Sequence, residues 1–225
     1  MQTTASEASA ARLSGPSAAP ARAAQRAKRA GDVVLSLGVL VFCAPLMLTI
    51  ALVIKLQDGG PVLFRHRRCG SGGEAFGLWK FRTMQVDAAE RLEALLQDDP
   101  EAEAEWHRTR KLRRDPRVTR LGRFLRRSSL DELPQLLNIL RGEMSVVGPR
   151  PVMTDELAAY GVARTAYEAV RPGVTGLWQV SGRNDLSFEA RVALDAAYVR
   201  TWSLRGDVAI LLRTVPVVMT ARGAY

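Results

Sequence analysis

The sequence predicts an α+β fold, predominantly helical with a few short strands, built behind an N-terminal membrane segment. Three observations lead there. Val33 to Ile54 is a run of 22 residues without a charge, about 33 Å long as a straight helix and so long enough to cross a bilayer. Two short apolar runs, Val62 to Phe64 and Phe76 to Phe81, flank the turn Gly70-Ser71-Gly72-Gly73, which is hairpin chemistry. From residue 86 onward, stretches of helical period alternate with proline- and glycine-rich breaks.

Composition narrows the classes of protein. With 225 residues, 47% of them apolar, a packed core is attainable and wholesale disorder is excluded. The net charge is +9, and residues 108–127 hold ten basic side chains against one acid, Asp115, leaving 22 of each sign elsewhere. The partner is therefore an anion met at one place. Cys43 and Cys69 are the only cysteines and His66 and His107 the only histidines, too few for a Cys/His metal site or a disulfide framework.

Residues 1–25 are rich in Ala, Ser, Thr, Gly, Pro and Arg and read as a disordered tail. Residues 26–57 form the membrane segment. It ends in Lys55-Leu56-Gln57-Asp58 rather than a small-residue cleavage site, which excludes a secretory signal. Pro45 sits at its middle, where it removes a helix bond and disfavours helical angles at Ala44. Both flanks are basic, with Arg26, Lys28 and Arg29 before it and Lys55, Arg65, Arg67 and Arg68 after it. Two positive ends predict that both stay on the cytoplasmic side. The expectation is a proline-broken hairpin that enters the membrane and returns, with a kinked spanning helix as the alternative.

Residues 58–225 make the remaining body. The hairpin ends in Lys80-Phe81-Arg82. Residues 87–105 carry eight acids and one Arg, a solvated helical face interrupted near Asp99-Pro100. In the basic band, Val118, Leu121 and Leu125 form an apolar stripe edged by Arg117, Arg120, Arg123 and Arg127. That pattern suits a membrane interface, with guanidinium groups among lipid phosphates, and equally suits DNA phosphates. Ser129-Leu130-Asp131-Glu132 matches a capping box. Val146 to Pro151 sets Arg150 between two prolines, a rigid connector or a fixed guanidinium. Arg171 to Arg183 reads as loop and short strand, Ser187 to Trp202 as a helix with Val192, Leu194, Tyr198 and Val199 inward, and Asp207 to Thr220 as an apolar segment too short to span.

Asp131 and Glu132 are the chemical focus. By themselves, adjacent acids at a helix start only complement its dipole. Here they follow an arginine cluster and a membrane segment. A carboxylate ionised at neutral pH attacks phosphorus without needing a base. A second one holds Mg2+ through one or two oxygens plus substrate phosphates, and arginines offset a diphosphate. These parts suit phosphoryl transfer.

The strings GGPVLFRHRRCG, KFRTM, DPRVTRLGRFLRRSSLDELPQLLNILRGEMSVVGPRP, RPGVTGLWQVSGRND and LDAAYVRTWSLRGDVAILLRTVPVV resemble the bacterial sugar transferases, monotopic phosphoglycosyl transferases that begin exopolysaccharide and O-antigen assembly. The likeness runs from about Lys28 to the C-terminus. It implies transfer of a sugar 1-phosphate from a UDP-sugar to undecaprenyl phosphate on the cytoplasmic face of the bacterial inner membrane, with release of UMP. Asp131 would be the nucleophile and Glu132 the Mg2+ ligand. Arg126, Arg150, Lys80, Arg82 and Arg183 would serve substrate binding, and Pro45 the re-entrant break. Family members often carry Ser before that proline, where this chain has Ala44. The short form and the sequence around Trp106 and Thr214 point to galactose, with glucose or an N-acetyl-hexosamine as alternatives. Nucleic acid is not expected, because Phe124 is the only aromatic residue in the basic band. A homo-oligomer is left open.

Overall fold

The computed structural model describes residues 22–109, 112, 114–182 and 186–219. Most of the expected tail therefore lies outside the described residues. Arg22 to Gln25, placed in that tail by the sequence, instead open the first helix, α1, which runs Arg22–Asp58. The charged helix formers Arg22, Arg26 and Lys28 extend the apolar run backwards by several turns.

Helix α1 is long and apolar enough to cross a membrane. Its outward side chains are bare, with Phe42 86% exposed and Val34, Val41 and Leu48 similar. The chain stays helical on both sides of Pro45, where Thr49 Oγ1 donates to the Pro45 carbonyl at 2.9 Å. The structure shows a proline within a helix and not a return of the chain, so the hairpin is taken up below as a proposal.

The two strands β1 (Leu63–Cys69) and β2 (Ala75–Phe81) form an antiparallel hairpin. Pairing extends the first strand five residues past Phe64, because each of Arg65 to Cys69 finds a partner on β2. Facing pairs Phe64–Lys80, His66–Leu78 and Arg68–Phe76 put these side chains on one face of the hairpin. Helices α2 (Ala88–Asp98) and α3 (Pro100–Thr109) follow, divided at Asp99 as the proline requires.

Helix α4 (Arg120–Ser128) carries the arginines nearest the acidic pair. Thr119 caps it, with Oγ1 accepting from Gly122 N at 2.8 Å. Gly122 is needed here: a Cβ would fall 2.0 Å from the Thr83 carbonyl oxygen. The helix ends at Ser129, whose φ of 57° is the one positive value at a non-glycine residue among those described. Ser129 is thus the left-handed C-cap of α4, and its side chain caps no helix start. This corrects the capping-box expectation: a β-region residue is needed for that box, and Ser129 is spent on reversing the chain. Leu130–Glu132 form a single 3-10 turn, and Pro134 then opens α5 (Gln135–Arg141).

Beyond α5, β3 (Ser145–Val147) pairs in parallel with β4 (Gly173–Thr175). Between them lie the short helices α6 (Thr154–Ala158) and α7 (Arg164–Glu168). A third short helix, α8 (Leu177–Ser181), replaces part of the expected loop. Helices α9 (Phe188–Thr201) and α10 (Leu204–Met219) close the chain. Of the inward residues expected on α9, Tyr198 is buried, while Val192 and Val199 are half-buried and pack on neighbouring clusters.

Both ends of α1 are fixed to this body. Near the first turns, Lys28 Nζ donates to Asp207 Oδ2 at 2.6 Å, Arg29 donates to the carbonyls of Ile139 and Leu140 at 2.6 and 3.0 Å, and Asp32 accepts from Val146 N and Ser145 Oγ at 3.1 and 2.8 Å. Near the last turns, Ile50 and Ile54 pack with Phe81 and Leu125, flanked by Leu130 and Leu133 of the acidic turn.

Candidate active site

The acidic pair stands where three pieces meet. The hairpin brings Lys80, α4 brings Arg126, and the Ser129 reversal turns Asp131 back toward both. Hydrogen bonds fix the relative heights. Asn138 on α5 is wholly buried. Its Oδ1 accepts from Trp79 N at 3.0 Å, and its Nδ2 donates to Gly77 O at 2.8 Å and Glu143 Oε2 at 2.7 Å. The side chain thus pairs with the edge of β2 as a strand would, and sets Lys80 against the turn just before α5. Thr83 fixes α4: its carbonyl accepts from Thr119 N at 3.1 Å, and its Oγ1 accepts from Arg126 Nε at 2.9 Å.

Lys80 Nζ lies 2.6 Å from Glu132 Oε1 and 3.6 Å from Asp131 Oδ2. Burial penalises its ammonium, but the carboxylates of Glu132 and Asp131 outweigh that and hold it above the usual lysine value. Asp131 is 7% exposed. Burial raises its pKa above the ordinary range, against the opposing pull of Lys80 and, more weakly, Arg126. A buried carboxylate kept anionic by cations that do not fully bond it retains lone pairs for attack.

These residues line a cleft of about 1240 Å3, together with Phe64, His66, Arg68, Arg82, Thr83, Arg117, Arg123 and Arg127. Burial lowers the pKa of His66, with Arg68 next to it adding to the effect, so its neutral ring accepts from Arg68 Nη2 at 3.3 Å. Asp115 pairs with Arg117 at 2.7 Å, removing one arginine of the band from the free charge.

Four of the five expected substrate-binding residues fall among those described. Lys80 meets the acidic pair directly. Arg126 lines the same cleft, bonded to Thr83, and acts on Asp131 through its charge alone. Arg82 lines the same cleft but is ion-paired to Asp58. Arg150 does not line it: Nη1 bonds Glu156 at 3.1 Å and the guanidinium lies 5.8 Å from the Trp178 ring centre. Glu156 also reaches Arg68, at 3.3 Å, and so links Arg150 to the cleft through a side chain that does line it. Arg183 lies outside the described residues. Thr83, Asn138, Arg68 and Glu156 were not anticipated. The one available signal was the alternation Phe64, His66, Arg68, which marks one face of a strand once β1 is allowed its full length.

A carboxylate pair held by a lysine in an arginine-lined cleft, at the foot of a membrane-length apolar helix, has the parts for work on phosphate groups. The chain belongs to the bacterial sugar transferase family, whose description matches residues 23–221. It is similar to the exopolysaccharide production protein ExoY of Rhizobium meliloti (strain 1021), 53% identical over 199 residues and covering 88% of each chain. It is 47% identical over 204 residues to the undecaprenyl-phosphate galactose phosphotransferase of Salmonella typhimurium, covering 91% of this chain and 43% of that one. It is 44% identical over 207 residues to the UDP-glucose:undecaprenyl-phosphate glucose-1-phosphate transferase of Caulobacter vibrioides, covering 88% and 72%.

Proposed function

We propose that the protein transfers galactose 1-phosphate from UDP-galactose to undecaprenyl phosphate, the first membrane step in making an exopolysaccharide. The supporting observation is the buried Asp131 facing Lys80 at 3.6 Å with Glu132 beside it. An Asp131 oxygen attacks the sugar-linked phosphorus, the bond from that phosphorus to the bridging oxygen breaks, and UMP leaves with the electron pair. An oxygen of undecaprenyl phosphate then attacks the same phosphorus, the bond to Asp131 breaks, and the carboxylate is restored. Both nucleophiles are anions, so neither step requires a base. Lys80 and Arg126 balance the charge that gathers on the phosphate oxygens.

Glu132 is half-buried at the cleft and offers hard oxygen donors. Mg2+ needs only one or two carboxylates when waters and substrate phosphates complete its shell, so Glu132 fits as its ligand. When bound, the ion supplies charge neutralisation of the diphosphate.

The body after residue 57 sits on the cytoplasmic face of the inner membrane, and α1 bends at Pro45 so that both basic flanks stay on that side. A cysteine placed near residue 20 should resist impermeant reagents applied from outside; its labelling would establish a spanning helix instead. UDP-glucose is the second reading, favoured by the likeness to the Caulobacter enzyme. The central test incubates the protein with radiolabelled UDP-galactose and no lipid. Label should attach to wild type and not to Asp131→Asn, and steady turnover should fall by about 10^4 or more in the variant. Wild type that never acquires label would overturn the two-step route. UMP release across a panel of UDP-sugars decides the sugar.

A further inference from the structure

Arg82 has a guanidinium that the acidic pair does not use. Its side chain is 9% exposed, and Nη2 is paired with Asp58, the last residue of α1. Nη1 is buried with no hydrogen-bond partner. An unpaired buried N–H carries a desolvation cost that an anionic oxygen would remove. Gly60 makes room for it: a Cβ there would fall 2.2 Å from Nη1 and 2.7 Å from Val86 Cγ2.

One side of this guanidinium is apolar. Pro61, Phe64 and Val86 line the cleft beside it, and Phe64 and Val86 are 53% and 62% exposed. Leu52, Val53 and Leu56 stand exposed on the last turns of α1. The cleft is different toward its other end. Phe64, His66 and Arg68 follow one another along β1, so Arg68 lies about 13 Å beyond Phe64. There the lining is an imidazole and a guanidinium that is bonded to Glu156 and keeps a buried Nε–H of its own without a partner, and no apolar rim stands beside it in the strand alternation Phe64, His66, Arg68. The Arg82 end thus couples an unpaired cationic N–H to an exposed apolar rim on a membrane-length helix. A ligand that is polar throughout gains nothing from that rim. A phosphate monoester carried on a long hydrocarbon chain matches both parts.

We infer that Arg82 binds the phosphate of the lipid acceptor, with Asp58 and Gly60 as its positioning residues, while the sugar nucleotide occupies the Arg68 end. The inference rests on the function proposed above and assigns its two substrates to opposite ends of one cleft. It makes the two half-steps separable by mutation.

The test measures the half-steps apart. Labelled adduct is formed from UDP-galactose alone, then discharged by undecaprenyl phosphate in mixed micelles. Arg82→Gln should raise the KM for the lipid in discharge by about tenfold to a hundredfold, at least ten times the effect on adduct formation. Gly60→Ala pushes on the tip of a flexible side chain and leaves the backbone in place. It should act in the same direction, with the lipid KM rising more than the saturated rate falls, and Arg82→Lys should recover part of the loss. Equal losses in both half-steps, or unchanged discharge, would overturn the assignment. So would inhibition of discharge by phosphatidic acid at the concentrations where undecaprenyl phosphate acts, which would mark a general headgroup site. Equilibrium binding of undecaprenyl phosphate to wild type and Arg82→Gln is a readout that needs no adduct: weaker binding by the variant supports the inference and equal binding refutes it. Failure of wild type to form adduct would instead count against the two-step chemistry.

Discussion

Two lysine–aspartate pairs in this protein have the same composition and opposite character. In the first, Lys28 Nζ meets Asp207 Oδ2 at 2.6 Å and donates also to the Val147 carbonyl at 3.0 Å. Trp202 Nε1 donates to the same Asp207 oxygen at 3.1 Å, and the Tyr198 hydroxyl lies 2.8 Å from the other. In the second, Lys80 gives its short contact to Glu132 and stands 3.6 Å from Asp131. Asp207 and Asp131 are 6% and 7% exposed, so burial does not separate them. Bonding does. A carboxylate whose oxygens are all occupied has nothing left to offer a substrate and serves to join elements. One that is buried near cations but sparsely bonded is costly to keep ionised and ready to react. The contrast distinguishes a fastener from the proposed nucleophile without reference to sequence position.

The contrast breaks most visibly at the fastener. Asp207→Ala takes the acceptor of Trp202 and leaves Lys28 and Tyr198 only the Val147 carbonyl to donate to, and removing one partner of a buried pair costs about 3–5 kcal/mol. Chemical denaturation should show that loss, while refolded or residual protein should still form adduct from the UDP-sugar. A stability within about 1 kcal/mol of wild type would mean that neighbouring acceptors replace Asp207. A smaller effect of opposite sign belongs to Asp131, the proposed nucleophile. Asp131 has its pKa raised above the ordinary 3.8, chiefly by burial. The stability it contributes is therefore complete below that value and is lost as pH rises through the folded-state pKa. Asp131→Asn should consequently melt higher than wild type at pH 7, with the gap closing toward pH 4. A lower Tm at pH 7 would show Asp131 to be a fastener too. The smallest signal is in the pH profile: adduct formation should decline on the acid side at a pH above that of an ordinary aspartate, because the protonated carboxyl does not attack.

The residues of the candidate site are more legible than those that hold them. Asp131, Glu132, Lys80 and Arg126 stand out because charge concentrated within a short segment is visible in one dimension. Asp32, Asn138 and Asp207 do not. Each is a lone polar residue within a helix, with no local charge pattern to mark it. Their partners are distant along the chain: Lys28 and Asp207 are 179 residues apart. Ser129 shows the converse failure. The spacing of Ser129 and Glu132 fits a cap, but whether a serine starts a helix or ends the previous one depends on its φ, which the pattern does not encode. Arg150 shows a third kind. Two flanking prolines do fix a guanidinium, yet Glu156 and Trp178 decide where it points, and both come from separate helices.

Arg29 has a practical meaning for anyone who would handle this enzyme. It lies in the second turn of α1 and closes the carbonyl end of α5 through Ile139 and Leu140, while Asp32 one turn further on holds β3. The helix that would ordinarily be trimmed away to make a tractable fragment supplies part of the internal bonding of the fragment itself. A shortened version beginning at the hairpin would lose the Arg29 bonds to the last carbonyls of α5 and the Asp32 bonds to β3, and the apolar flank of its acidic turn would be laid open to water. Solubility is better sought by covering the outer face of α1, with detergent, lipid disc or redesigned surface residues, than by cutting it off.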